Sequence, residues 1–365
     1  MTVTDTATLA QDLAVVRQRT LGLVAHLSRE DLERQIAPIM SPLVWDLGHI
    51  AAYEDLWLVH RHAGRPLLRP DLAALYDAFE TPRAVRGDLE ILGYDDAVAY
   101  MSEVRERTLA ALRDAPADPV IGELVLQHEL QHTETMRQAM AIAGLLPPGE
   151  PSLHPVRADG DEWVDVPGGT FALGAGEDRF SYDNERPRHA VDVPAFRIAR
   201  RPVTNATWLS FVEGGGYVRR EWWSAEGWAW KEEYDITHHA GGDAGAAHPD
   251  APACHLSWFE AEALARWCGA RLPTEAEWEK AADRLDDVGQ VWEWTSSPFG
   301  GYPGFAAHPY REYSEVFFGS DYRVLRGGSW ATHPRVATTT FRNWDLPERR
   351  QIFAGVRLAR DLETP

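Results

Sequence analysis

Residues 119–144 read PVIGELVLQHELQHTETMRQAMAIAG. The spacing of the apolar residues predicts a helix over this stretch. Within it His128 and His132 stand four apart, on one helical face, so both imidazoles can converge on one ion. Three further helices are expected upstream. Asp5 to Leu27 carries Leu9, Leu13, Val16, Leu21 and Val24 at helical spacing. A second opens at Ser41-Pro42, read as an N-cap followed by proline at the first helical position, and stops at Gly64. A third spans Tyr94 to Asp114. Four such helices with modest connections predict an N-terminal all-α four-helix bundle over residues 1–147, an architecture that builds ligand sites from side chains on facing helices.

From Leu145 the sequence LLPPGEPSLHPVRADGDEW is rich in proline, glycine and charge, which places an inter-domain linker at 148–162. Residues 163–362 read as an irregular α+β domain. Short strands are expected at Trp163–Val166, Thr170–Leu173, His189–Val193 and Phe196–Ala199, and helices near Asn205–Glu213 and Trp258–Cys268. After Leu285 mostly irregular chain is expected. Thirteen of the fifteen tryptophans, among them Trp222, Trp223, Trp228, Trp230, Trp292 and Trp294, fall in this half, as in a loop-rich domain filled with large rings.

The 365-residue chain is long enough for two cores. A formal charge of −20 argues against nucleic acid and anionic membranes as partners, since both attract basic surface. No apolar run approaches the roughly 20 residues of a membrane span, and the N-terminus lacks a secretory pattern. Cys254 and Cys268 are expected as reduced thiols. A cytoplasmic monomer acting on small molecules is the expectation.

The string His128-Glu129-Leu130-Gln131-His132 also matches the zinc-metalloprotease pattern, in which the glutamate is a general base. The residues that follow, Thr133-Glu134-Thr135, supply no third ligand of that type. A third histidine lies upstream in Trp45-Asp46-Leu47-Gly48-His49, on a helix able to face 119–144. Three imidazoles on one side of an ion leave the other side open to exchangeable ligands. The competing reading is a chance HxxxH pair among 14 histidines. Gln131 shares the face of His128 and adds a polar wall.

Taken together, WDLGHI, HELQHTETM, VWEWTSS, GGYPGF, RVLRGGSW, TTFRNWD and RRQIFAGVRLAR resemble the sulfoxide synthases of the ergothioneine pathway over nearly the whole chain. That family joins a DinB-like bundle to a domain of the formylglycine-generating-enzyme, C-type-lectin-like kind. The resemblance implies a non-haem iron(II) enzyme that uses dioxygen to join the sulfur of a thiol to the imidazole of hercynine. It implies iron ligation by His49, His128 and His132, and a carboxylate clamp for the thiol at Arg83 and Arg86 of PRAVR. Gln131 and Asn343 would contact hercynine, Trp344 would face its trimethylammonium group, and Asp345 would meet the thiol's ammonium. Tyr310 is the first choice for a proton or electron donor and Tyr302 the second.

An arginine pair suits γ-glutamylcysteine, with free cysteine as the alternative thiol. Other readings of the same architecture are a selenoneine synthase, an ovothiol-type synthase and a non-catalytic binding module, the last without stoichiometric iron. Copper-type formylglycine-generating enzymes need late cysteines, and none follows Cys268. One departure stands out. Between Asp283 and Gly289 the family carries a much longer stretch, here only Arg284-Leu285-Asp286-Asp287-Val288.

Overall fold

The helical spacing of Leu9, Leu13 and Val16 becomes helix α1, Thr6–Val24, with these residues facing inward. The structure, a computed structural model, describes residues 6–150, 153–155, 163–238, 240 and 248–362. It divides into two units, Met1–Glu150 and Pro151–Pro365. Most of the linker expected at 148–162 lies outside the described residues.

In the first unit a short helix α2, Arg29–Glu33, follows α1 and is capped by the Ser28 hydroxyl. Helix α3, Leu43–Glu54, continues through π-helical turns at Asp55–His62 and ends at Gly64, whose φ of 66° suits glycine. Ser41 was expected to cap this helix. Pro42 takes the capping position instead, and the Ser41 hydroxyl accepts from Arg86 at 2.7 Å. Helix α4 spans Tyr94–Asp114 and α5 spans Pro119–Ala143. Asp118 caps α5, Pro119 opens it, and Gly144 closes it at φ 67°. Helix α3 packs on α4 and α5, and α1 packs on α5 and α4, around a core that includes Val24, Leu43, Leu47, Met101, Val104 and Met136.

A buried ionic knot joins these four helices. Arg17 of α1 donates to Glu54 of α3 at 2.8 Å and to Glu129 of α5 at 2.9 Å. Arg105 of α4 donates to both oxygens of Glu54 at 2.7 and 2.9 Å, and the Thr20 hydroxyl donates to Glu129 at 2.7 Å. Two cations and two anions balance. Charges this deeply buried are tolerated only when paired and hydrogen-bonded.

Among the described residues the second unit holds three small sheets. Strands β1 (Trp163–Val166), β4 (Phe196–Ala199) and β9 (Ala359–Asp361) form one, in the order β1-β4-β9, and β2 (Gly169–Leu173) pairs with β3 (His189–Val193) in a second. The third orders β7-β6-β5-β8 from β5 (Trp292–Pro298), β6 (Arg323–Arg326), β7 (Asn343–Asp345) and β8 (Ala354–Gly355). This third sheet falls after Leu285, where its short strands are set in chain that is otherwise mostly irregular, as expected. Helices α6 (Asn205–Glu213), α7 (Ala225–Glu233), α8 (Trp258–Trp267) and α9 (Glu275–Ala281) complete the unit among the described residues.

Arginine–glutamate pairs run through its interior. Arg342 grips Glu275 through two bonds of 2.7 and 2.9 Å, Arg357 grips Glu293 through two of 2.7 Å, and Arg326 pairs with Glu279. The shortened connector is tied down as well. Asp286 donates its amide to the Arg200 carbonyl at 2.9 Å, and its own carbonyl accepts from Arg357 at 3.0 Å. Arg201 reaches the carboxylates of Asp286 and Asp287 at 3.3 and 3.4 Å.

Removing one member of the first unit's knot strands its partners in the core. Glu54→Ala is expected to destabilise that unit by about 3–5 kcal/mol, read as a lower urea midpoint for loss of helical circular dichroism.

Candidate metal centre

Helix α3 delivers His49 and helix α5 delivers His128 and His132 to one point. Among the described residues they are the one group of three ligating side chains gathered tightly enough for an ion, with ligand atoms all within 4.8 Å of one another. The Nε2 atoms of His49 and His128 stand 3.0 Å apart. Two imidazoles bound at about 2.0–2.1 Å, with a right angle between them, would have that separation. The donor set therefore fits a divalent first-row ion.

Each ring is oriented by its surroundings. His49 Nδ1 donates to the Tyr76 carbonyl at 2.6 Å, which turns Nε2 toward the ion. His132 Nδ1 donates to Asp46 at 3.0 Å, giving a carboxylate–histidine arrangement with its own Nε2 free to ligate. The ring of His128 lies flat on Tyr53, with centroids 3.6 Å apart and planes 7° apart, and that of His49 lies along Trp45 at 4.9 Å and 13°. Burial, reinforced by the neighbouring His132, holds His49 and His128 well below the usual imidazole pKa. Both are thus neutral and able to ligate. Gly48 makes the His49–Tyr76 contact possible, because a Cβ there would lie 2.3 Å from the Tyr76 ring.

Glu129, the residue a hydrolase would use as its base, is spent elsewhere. It is 1% exposed and bonded to Arg17 and Thr20. Gln131 is half-buried on α5. The two arginines of PRAVR differ sharply. Arg83 is exposed. Arg86 is 4% exposed and donates to Thr81 O, Ser41 Oγ and Ala78 O. Asp46, Tyr53, Trp45 and Tyr76 were not expected as supports of the site. Asp46 and Trp45 lie inside WDLGH, where an acid one helical turn before a ligand was the available signal. The Tyr76 carbonyl has no sequence signal.

The other expected residues belong to the second unit. Edge strand β7 presents Asn343, Trp344 and Asp345, all half-buried. One face of Trp344 stacks on Phe299 at 4.2 Å, and the edge of Tyr313 meets it at 5.7 Å. Asp345 accepts from the Leu346 amide at 2.8 Å and lies 3.6 Å from Arg349. Tyr310 is half-buried and lies edge-on to Tyr313 at 6.2 Å, so Tyr313 links Tyr310 and Trp344 in one aromatic cluster. Tyr302 sits apart from that cluster. It is 6% exposed, its hydroxyl donates to Glu275 at 3.1 Å, and the Arg342 guanidinium covers its ring at 4.2 Å.

Residues 12–142 match the model of the DinB superfamily, and residues 149–285 and 283–362 match that of the sulfatase-modifying factor enzyme 1-like domain. The chain is 42% identical to the hercynine oxygenase of Mycolicibacterium smegmatis, covering 97% of this chain and 99% of that protein. It is equally similar to the hercynine oxygenase of Mycobacterium tuberculosis, covering 99% and 100%. This chain belongs to the hercynine oxygenase family. Membership makes it an oxidoreductase and excludes the non-catalytic module. The formylglycine-generating enzyme of Mycobacterium tuberculosis is 33% identical over 38% of this chain and 57% of its own length, a likeness confined to part of the chain. The alignment to the first hercynine oxygenase runs over 432 positions against 365 residues here. The two pieces of the second family match meet at 283–285, where the shortened connector lies.

Two variants separate the faces of α5. Asp46→Ala is expected to weaken divalent-metal affinity by about 10- to 100-fold, by anaerobic titration against a competing chelator. Glu129→Gln is expected to retain full metal stoichiometry while lowering thermal stability. Loss of metal from the Glu129 variant, with its helices intact, would overturn the division.

Proposed function

We propose that the chain is an iron(II)- and dioxygen-dependent sulfoxide synthase that joins hercynine to a cysteine thiol, γ-glutamylcysteine before free cysteine. The observation that carries this reading is the trio of oriented imidazoles, His49, His128 and His132, in a chain of the hercynine oxygenase family. Three imidazole nitrogens from one side suit iron(II) and leave positions for substrates. Iron bound there would supply redox equivalents and a common point of attachment for thiol, imidazole and dioxygen.

The chain's own part is to place and hold. Tyr76 and Asp46 fix the ligand rings, so the site is formed before substrate arrives. Arg83, exposed, and Arg86, buried three residues on, are assigned to the carboxylates of the thiol. Gln131 and Asn343 are assigned to hercynine, and Trp344 to its trimethylammonium group. Asp345 is assigned to the thiol's ammonium. Tyr310 is assigned as the proton donor. Tyr302, whose hydroxyl donates to Glu275, is the second choice.

The deciding experiment is anaerobic reconstitution with iron(II), followed by aerobic assay with hercynine and each thiol, with the sulfoxide product read by mass spectrometry. His128→Ala and His132→Ala should each abolish iron binding and turnover while helical content persists. Arg83→Ala should raise the thiol KM roughly 10- to 100-fold, the usual size of a lost charge-assisted pair, and leave the hercynine KM much less changed. Full iron stoichiometry in the histidine variants, or wild-type iron protein inert with every thiol, would defeat the reading.

A further inference from the structure

We propose that Asp183 is a positioning residue for Tyr310, acting by bracketing the segment of chain that carries it. The inference rests on the assignment of Tyr310 as proton donor. Residues 299–322 join β5 to β6, and their regular structure is two short 3-10 turns, Arg311–Tyr313 and Glu315–Phe317. So long a connection is uncommon in a packed domain, and one that carries a functional group has to be tied from outside. Asp183 supplies two ties. One carboxylate oxygen accepts the His308 amide at 3.2 Å and the other accepts the Ser314 hydroxyl. These donors stand at the two ends of His308–Ser314, with Tyr310 between them. Asp183 is 4% exposed and Ser314 is fully buried, so bulk water does not compete for the hydroxyl.

The neighbours of Asp183 in the turn Tyr182–Glu185 extend the hold. The buried Tyr182 ring stacks on that of Tyr313 at 4.2 Å and 8°, and Tyr313 meets Tyr310 edge-on at 6.2 Å. Phe180 and Phe341 stand edge-on to Tyr182 at 5.1 and 5.8 Å. Glu185 accepts from the Tyr182 amide at 2.7 Å and from the Thr340 hydroxyl, and the Asn184 carbonyl accepts from Arg342 at 2.6 Å. One short turn therefore fixes both the Tyr310 segment and the chain that enters β7. A carboxylate is suited to this post, since it accepts from several donors in different directions. Burial pushes the Asp183 pKa up, and the donors from Ser314, His308 and Asn184 offset part of that rise. Proton donation depends steeply on placement, and a displacement of about 1 Å can cost on the order of 100-fold in rate.

The test uses the full chain as Asp183→Asn, Ser314→Ala, Tyr310→Phe, and Asp183→Asn combined with Tyr310→Phe. On iron(II)-reconstituted protein, metal stoichiometry, kcat for sulfoxide, and the KM for hercynine and for γ-glutamylcysteine are measured. On metal-free protein labelled with fluorotyrosine, the fluorine resonance of position 310 is recorded, identified by its absence from Tyr310→Phe. Asp183→Asn should lower kcat about 10- to 100-fold. It should leave metal stoichiometry at wild type and both KM values within about twofold, and should shift or broaden the resonance. Ser314→Ala should do the same to a smaller degree. In the Tyr310→Phe background, Asp183→Asn should cost less than about twofold more, because both residues act through one group. Should Asp183→Asn fail to fold, Ser314→Ala carries the test. Equal losses in both backgrounds, as a brace of the whole unit would give, overturn the inference. So does a wild-type kcat beside an impaired Tyr310→Phe, or an unmoved resonance. Tyr310→Phe turning over at the wild-type rate would instead sink the proton-donor reading, and the resonance alone then decides whether Asp183 holds the ring.

Discussion

The paired charges of Arg17, Arg105, Glu54 and Glu129 sit where a bundle of this size would ordinarily place leucine. Their acids lie on α3 and α5, the same two helices that carry His49, His128 and His132. A purely apolar seam tolerates small rotations of one helix against another, because dispersion contacts are many and individually weak. A charge pair out of contact with water does not. Fixing Glu54 and Glu129 against the same arginine therefore fixes the rotation of α3 against α5. The imidazoles on those helices inherit that precision.

The sequence pattern made the four helices and the histidine trio readable, because apolar spacing and the i, i+4 pair depend only on local geometry. What it hid shares one cause: charged and polar side chains whose partners are distant in sequence. Arg17 and Arg105 look like solvent-facing residues of amphipathic helices, and only folding shows that they meet glutamates 37 and 51 residues away. Ser41-Pro42 looks like a helix start, yet the serine serves an arginine 45 residues on. The PRAVR pair looks alike from sequence and divides in the structure, one arginine outward and one inward.

In the second unit the strings that made the chain recognisable prove to be structural ties. VWEWTSS contributes Glu293, GVRLAR contributes Arg357, RVLRGGSW contributes Arg326 and TTFRNWD contributes Arg342. Each lies in the interior, paired with an opposite charge. This explains why strands β5 and β6 escaped a pattern search. These two strands bury consecutive residues, Trp292 to Thr295 and Val324 to Arg326, so the apolar–polar alternation that marks a half-buried strand is lost.

The connector at Arg284–Val288 carries a different lesson. Its middle is anchored, with Asp286 and Asp287 tied to Arg200, Arg201 and Arg357, so added residues have room beside that tie, before Asp286 or after Asp287. Closing a longer flexible segment across the same anchors costs only about 0.6 kcal/mol for each doubling of its length. Such a junction tolerates added residues beside the tie, and a protein engineer could use that position to splice in a reporter or a tether.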